Sequence, residues 1–410
     1  MPRCRVFGLF AVILLTIIRP TAAQPDLTPL VERIGNPFTA RFPNGEWVYA
    51  RNVWDMEVYG DRLYLGHGNS TTEPPAGNAG PVEIWSFDGG YFTPEFLVHD
   101  EQIERIEIVG GHLLIPGHDS TYAWPGGNLY QRTESGWRER NGVLSAAHVY
   151  DLALYNGRLF AATGTAVQNG QAIGISDDNG STWTGIPLIA SVTDTQVMHS
   201  EVAWELFEVE GQLLVSAQPA IRVYQLDDNT VQRTAVGPAL YRYTNGAFEG
   251  LALDPFPGFT FDIYQERSFR VARPVAFGGG VVYIGARVNQ QQWTPFGLFT
   301  IRALEGTLAA APLPLPDIVP WDIIVDGDVL FVLGSRCAGG FYAPCTIVVI
   351  ASCDLSVWRT TLQFSAETFA RSFALYRGDF YFGMGSQPDS LAPSTGDILR
   401  IRRDLFVREC

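Results

Sequence analysis

Four carboxylates occupy matching places in this 410-residue chain. Asp55, Asp151, Glu205 and Asp322 each open an apolar run, and Arg105 holds the same place in a fifth run. Carboxylates that converge can bind Ca²⁺ through oxygen ligands or work as a general acid and base pair. They can equally hydrogen-bond backbone in a neighbouring element, the simpler account of a feature that recurs with a repeat. A second set is cationic. Arg273 and Arg371 precede apolar runs and Arg287 and Arg336 follow them, so a shared face would let them clamp a carboxylate or an acidic sugar. Separate surface arginines are the plainer alternative. His67 in "GHGN" and His118 in "PGHDS" hold nearby places and, with Asp119, can be read as a metal or ligand site. No His-x-x-x-His or Glu-x-x-His spacing supports a metal, and loop residues without metal are the expectation.

These residues are tied together by a repeat. "WDMEVYGDRLYLGHG", "YDLALYNGRLFAATG" and "WDIIVDGDVLFVLGS" share one template: an apolar strand, a tight turn with Gly, Asp or Asn, and a second apolar strand. One column of it runs Leu63, Leu113, Leu159, Leu213, Val282, Leu330 and Phe380, at steps of about 50 residues, with a longer step from Leu213 to Val282. A second hairpin such as "ALYRYTNGAFEGL" follows most first ones. Four strands per unit at this period predict a propeller blade. Seven units predict an all-β, seven-bladed β-propeller of four-stranded antiparallel blades, lettered a to d from the axis outward.

Strand a reads almost continuously apolar, as expected of a strand covered on both faces by neighbouring blades. The b–c connections of blades 1, 5, 6 and 7 read as long, and the extra length before blade 5 falls around "LALDPFPGFTFDIYQERS". The b–c and d–a connections share one end of the ring, the expected ligand face. "FTARFPNGEWVYARN" looks like an orphan c–d hairpin that completes or laps the last blade. "GDILRIRRDLFVREC" can also supply outer strands, so the closure stays open at this level.

"SDDNGSTW" (176–183) fills every fixed place of Ser-x-Asp-x-Gly-x-Thr-Trp, at Ser176, Asp178, Gly180, Thr182 and Trp183. The stretch resembles the Asp-box, or BNR repeat, of sialidases and other propellers. With the kelch-like period, it makes the chain similar to exported Asp-box propellers and distantly sialidase-like in architecture. The resemblance implies a structural c–d turn away from the active site. "SFDGGYF" and "FPNGEWVY" are partial echoes. A sialidase would further need three arginines, a Tyr nucleophile activated by Glu, an Asp acid/base and an early Phe/Tyr-Arg-Ile-Pro motif. "FRVARP" (269–274) comes late, and only one box is complete.

Composition narrows the rest. The net charge of −15 argues against nucleic acid as a partner. The chain has no lysine, so any cationic site is a guanidinium. Residues 1–23 read as a signal peptide, with Arg3 and Arg5 before an apolar run too short to span a bilayer comfortably, and 24–410 as one propeller domain. A secreted or periplasmic monomer with no membrane span after cleavage is expected. Cys337, Cys345, Cys353 and Cys410 then imply two disulfides in one of three pairings; Cys337 and Cys345 flank one loop between apolar runs. "NST" (69–71) and "NGS" (179–181) are glycosylation sequons, relevant in a eukaryotic secretory pathway. No cofactor is expected beyond the calcium conceivable at the carboxylates. The functional expectation is a module that binds a carbohydrate or protein ligand, the alternative being a glycan-acting hydrolase or lyase.

Overall fold

The computed structural model describes residues 26–407, apart from 72–73, 75, 122–125, 165–171, 187, 190–196, 199–201, 219–220, 228–229, 236–238, 260–267, 290–291 and 340–343. Residues 1–23, read above as a signal peptide, and Cys410 lie outside the described residues. Seven blades of four antiparallel strands form a ring. Blade 1 runs Asp55–Tyr59, Arg62–Gly66, Val82–Phe87 and Phe92–Val98 from axis to rim. The other innermost strands are Glu107–Val109, His148–Tyr155, Ala203–Val209, Ser268–Phe277, Val319–Asp326 and Ala370–Tyr376.

The ring stands because each blade buries its faces on its neighbours. Leu63 and Val82 of blade 1 share a cluster with Leu113 of blade 2 and Tyr376 of blade 7. Further clusters join blades 2 and 3, 3 and 4, 4 and 5, 5 and 6, and 6 and 7, so the apolar core lies between blades and leaves the axis free for polar groups.

Closure differs from the expected N-terminal hairpin. The last blade has strands Ala370–Tyr376, Asp379–Met384 and Ile398–Ile401, and its rim strand is Glu32–Gly35 from the other end of the chain. Arg33 holds it with paired bonds to Asp397, at 2.6 and 2.9 Å. "FPNGEWVY" makes no hairpin turn: Gly45–Arg51 is a 3-10 helix that buries Tyr49 and Arg51. Asn-Gly permits either geometry, and the apolar side chains behind it decide for the helix.

The insertions are also redistributed. In blade 5 the expected b–c loop is strand. Gly280–Asn289 and Gln292–Leu304 pair out to Asn289 opposite Gln292. Blade 4 instead carries an added hairpin, Ile221–Asp227 with Thr230–Ala235, in its b–c connection. The long step from Leu213 to Val282 is thus shared between this hairpin and the connection before blade 5. The long connections of blades 1 and 7 are as expected, between Gly66 and Val82 and between Met384 and Ile398. In blade 6, Cys337 and Cys345 face each other across strands b and c and are disulfide-bonded. Cys353 is also disulfide-bonded. Among the described residues no helix is long and apolar enough to cross a membrane.

The 176–183 turn links strands Ile173–Ser176 and Thr184–Ile186, at the end of the ring opposite the b–c connections. Asp178 accepts from the Ser181 and Thr182 amides at 3.0 and 2.8 Å and from the Thr182 hydroxyl at 2.7 Å. These bonds, the Thr182 amide first, hold its carboxyl at about 2. Trp183 packs between blades 2 and 3. Blade 6 repeats the device without the motif: Asp354 accepts from the Ser356 and Val357 amides at 2.8 and 2.9 Å. Its sequence, "SCDLSVW", lacks the Gly, and Leu355 takes φ 64° in its place.

Candidate functional site

The axial strands share a defect that aims side chains into the channel. A β-bulge interrupts strand a in blades 3, 4, 5, 6 and 7, at Tyr150, Trp204–Glu205, Arg273–Pro274, Trp321 and Arg371. A bulge adds an unpaired residue and re-aims its neighbours, and bulges are common next to functional sites. Arg273 takes φ 54°, a costly value for a non-glycine residue.

Carboxylates and arginines from these strands, together with Asp55, Glu104 and Arg105 of blades 1 and 2, form a layer across the channel. Arg273 of blade 5 crosses to Asp55 of blade 1 at 2.7 Å and lies 3.6 Å from Asp322 of blade 6. Arg105 of blade 2 reaches Glu205 of blade 4 at 3.4 Å and Asp151 of blade 3 at 3.6 Å. Arg270 of blade 5 holds Glu104 of blade 2 at 2.9 Å and Glu205 at 3.2 Å. All of these side chains are buried or nearly so.

Three of the four predicted carboxylates also join blades. Asp55 accepts from the Ile106 amide at 2.7 Å, Asp151 from Leu206 at 2.5 Å and Asp322 from Phe373 at 3.1 Å, each in the next blade. Glu107 does the same for Leu152 at 3.1 Å, although it lies outside the predicted column. Glu205 differs. It turns wholly into the ion-pair layer, and burial raises its carboxyl to about 7 against the pull of Arg105.

Two cavities flank the layer. One, of about 310 Å³, is lined by residues further along strand a, including Glu57, Glu107 and Val275. Burial, helped by Asp55, raises the Glu57 carboxyl from 4.5 to about 8. The folded chain therefore keeps a proton that the unfolded chain loses between about pH 4.5 and 8, and stability falls as pH rises through that window. Glu57→Gln removes this loss. It should stabilise the protein by about 1–3 kcal/mol at pH 8, less than the full linkage value because the side chain is part-exposed, with no gain at pH 4. Denaturant titrations at the two pH values check this.

The other cavity, of about 290 Å³, opens at the b–c end and is the candidate site. Trp54, Tyr150 and Trp204 give it aromatic faces; Asn69, Gln102 and Glu104 give it polar ones. Trp54 is fixed by its indole N–H on the Gly68 carbonyl at 2.7 Å and by the Arg371 guanidinium, 4.2 Å from its ring centre. Tyr150 lies against Trp204, ring centres 4.6 Å apart, and Arg270 is 5.4 Å from the Trp204 ring. Burial would raise the Glu104 carboxyl, yet Arg270 beside it holds it down at about 2.

Two short strands outside the repeat complete the mouth. Asp100–Gln102 and His118–Ser120 add to the axial edge of blade 3, so His118 pairs with Gln102 on one side and His148 on the other. The approach needs Gly117, where a Cβ would come within 2.8 Å of the Asn128 Cβ. His118 and His148 lie with ring centres 4.4 Å apart, and burial lowers both to about 4.

The predicted site residues therefore scatter. His118 and Asp119 line the candidate cavity. His67 does not: it is fully buried, stacks on Phe38 at 4.2 Å and bonds the Glu83 carbonyl at 3.0 Å, which makes it a core residue. The four arginines lie in different surroundings, with Arg273 and Arg371 both in contact with Trp54. Arg273 is in the ion-pair layer and Arg371 is buried beneath Trp54, bonded to Asn52 at 3.1 Å. Arg287 lies 5.4 Å from the Phe296 ring, and exposed Arg336 donates to the Asp317 carbonyl at 2.8 Å. Sequence reasoning missed Glu104, His148, Tyr150, Trp204 and Arg270. A signal was present: an aromatic precedes each predicted carboxylate, at Trp54, Tyr150, Trp204 and Trp321.

No family model matches the chain, and no curated protein matches it. Solved propeller structures do. Hydrazine synthase from Kuenenia stuttgartiensis aligns over 86% of this chain and 96% of its own, with 12% identity and TM-score 0.48. An α-L-arabinanase from Penicillium chrysogenum, complexed with arabinobiose, aligns over 87% and 95%, with 11% identity and TM-score 0.38. An ancestral GH74 enzyme aligns over 88% and 48%, with 10% identity and TM-score 0.43. The likeness is one of chain path alone.

Proposed function

We propose that this protein is an exported binding module that takes a small carbohydrate in the b–c cavity. The observation that carries the reading is the combination of aromatic faces and polar groups in one pocket at the channel mouth. Trp54, Tyr150 and Trp204 suit the C–H faces of a sugar ring, and Asn69, Gln102 and Glu104 suit its hydroxyls. A volume of about 290 Å³ fits one or two sugar units rather than a long chain. Binding fits the state of the carboxylates better than hydrolysis. Asp55, Asp151 and Asp322 each have an oxygen committed to a neighbouring blade, and of the two pocket carboxylates, Glu104 and Asp119, Glu104 is held ionised by Arg270.

Calorimetry of the mature chain against a panel of neutral mono- and disaccharides tests this. At least one sugar should bind with saturation, and Trp204→Ala should weaken it about tenfold or more, through the lost ring contact. No saturable binding across the panel, or unchanged affinity in Trp204→Ala, would sink the reading. Turnover of a glycoside that is lost in Glu104→Gln would replace it with the hydrolase.

A further inference from the structure

The mouth of the channel holds a donor set that neither the repeat nor the sugar-binding surface accounts for. One imidazole nitrogen each from His118 and His148 and a carboxylate oxygen from Asp119 all lie within 4.8 Å of one another. We propose that these three residues bind one divalent transition-metal ion of the zinc class.

The donors are held by backbone, not by a loose loop. His118 and His148 are cross-strand partners, and His118 is paired on its other side with Gln102. Asp119 follows directly, with its amide on the Ala147 carbonyl at 3.2 Å and a φ of 59°. That turn brings its Oδ1 to 3.6 Å from His148 Nε2. Such a distance is long for a hydrogen bond. It is close to the separation of two ligands on one ion: bonds of about 2.1 Å at tetrahedral angles put their atoms about 3.4 Å apart.

A further observation points to an ion. Glu104, anchored by Arg270 at 2.9 Å, lies 3.4 Å from His118 Nδ1, where an outer carboxylate orients a ligating imidazole. Donor chemistry selects the class. Two nitrogens and one carboxylate suit zinc and its neighbours, whereas Ca²⁺ asks for six to eight oxygens. Three protein ligands leave a coordination position, as in open zinc sites, and the site borders the cavity. His118, Asp119 and His148 line that same cavity, so the ion would share it with a sugar, but the metal proposal does not depend on the sugar-binding reading.

The test uses the mature chain, stripped with a chelator and free of sugar. Titration with ZnCl₂ should give one saturable site per chain, with CaCl₂ binding far more weakly. Losing an outer-shell partner costs a metal site roughly 10–100-fold, so losing a direct ligand should cost at least that. His148→Gln and Asp119→Asn should each weaken zinc by this much, and the exposed His112→Gln should leave it unchanged. Asp119→Asn is nearly isosteric, and thermal melts report whether each variant is folded. Co²⁺ gives a second readout: its visible bands in the wild type should disappear in His118→Gln. Absence of saturable zinc binding, calcium binding in preference to zinc, or zinc binding that survives all three ligand substitutions overturns the proposal. Sugar binding measured in the stripped protein reports on the carbohydrate reading separately.

Discussion

Arg105→Met is expected to cost about 3–5 kcal/mol of stability at neutral pH, the range found when one partner of a buried ion pair is removed. The guanidinium lies among Glu107, Asp151 and Glu205, at 3.4, 3.6 and 3.4 Å, and these come from blades 2, 3 and 4. Without it three carboxylates would face one another with little water to screen them. Their cheapest response is to take up protons, so the penalty should shrink as the pH is lowered toward 5. Adding Glu205→Gln to Arg105→Met should restore part of the loss, by about 1–3 kcal/mol, because the two groups belong to one network. Denaturant titrations of the two variants at pH 5 and pH 7.5 measure each quantity. A loss in Arg105→Met below about 1 kcal/mol at both pH values would mean that the layer is open to water rather than a sealed crossing of the channel.

The second large effect concerns closure. A chain that begins at Pro37 lacks the rim strand of blade 7. It also lacks Leu27, which is buried in the blade 6–7 core and donates its amide to the Gln363 carbonyl at 2.9 Å. Loss of Leu27 and the part-buried Ile34 alone removes about 2–5 kcal/mol of apolar burial. The Arg33–Asp397 pair adds little, since Arg33 is largely exposed. The deletion also leaves Ile398–Ile401 as an unpaired edge, a template for association between chains. The truncated protein should melt roughly 3–6 °C lower than residues 24–410 and form soluble aggregates on light scattering, at about 1.2 °C per kcal/mol for a chain of this size. A truncated chain that melts with the mature one and stays monomeric would show that three strands suffice for blade 7.

Both predictions rest on groups that the sequence displayed unequally. The period, the turns with Gly, Asp and Asn and the apolar column from Leu63 to Phe380 are local patterns, and local patterns survive in one dimension. They were enough for seven blades of four strands and for placing Cys337 and Cys345 on either side of one loop, while the structure pairs them. They also exposed Asp55, Asp151, Glu205 and Asp322 as one column, of which Asp55, Asp151 and Asp322 meet the next blade in one way while Glu205 turns into the ion-pair layer.

The site was less legible, for a physical reason. A ring brings together residues from blades that are distant in sequence, and the layer depends on crossings such as Arg273 to Asp55 and Arg270 to Glu104. No spacing rule encodes such a distance. The bulges in strand a decide which side chains enter the channel, and one added residue reverses the alternation on which a face assignment depends. His67 and His118 show the result. Both follow a strand b at similar places, yet Phe38 and Phe42 from the N-terminal segment pack on His67 and make it core. His118 was instead drawn over the channel by pairing with Gln102 and His148. The sequence by itself thus determined the blades, their number and three of the carboxylates that tie one blade to the next. Only the closed ring decided which charges meet, which histidine is buried and where a cavity opens, because those outcomes depend on segments that become neighbours only on folding, as with Arg273 and Asp55, which stand 218 residues apart.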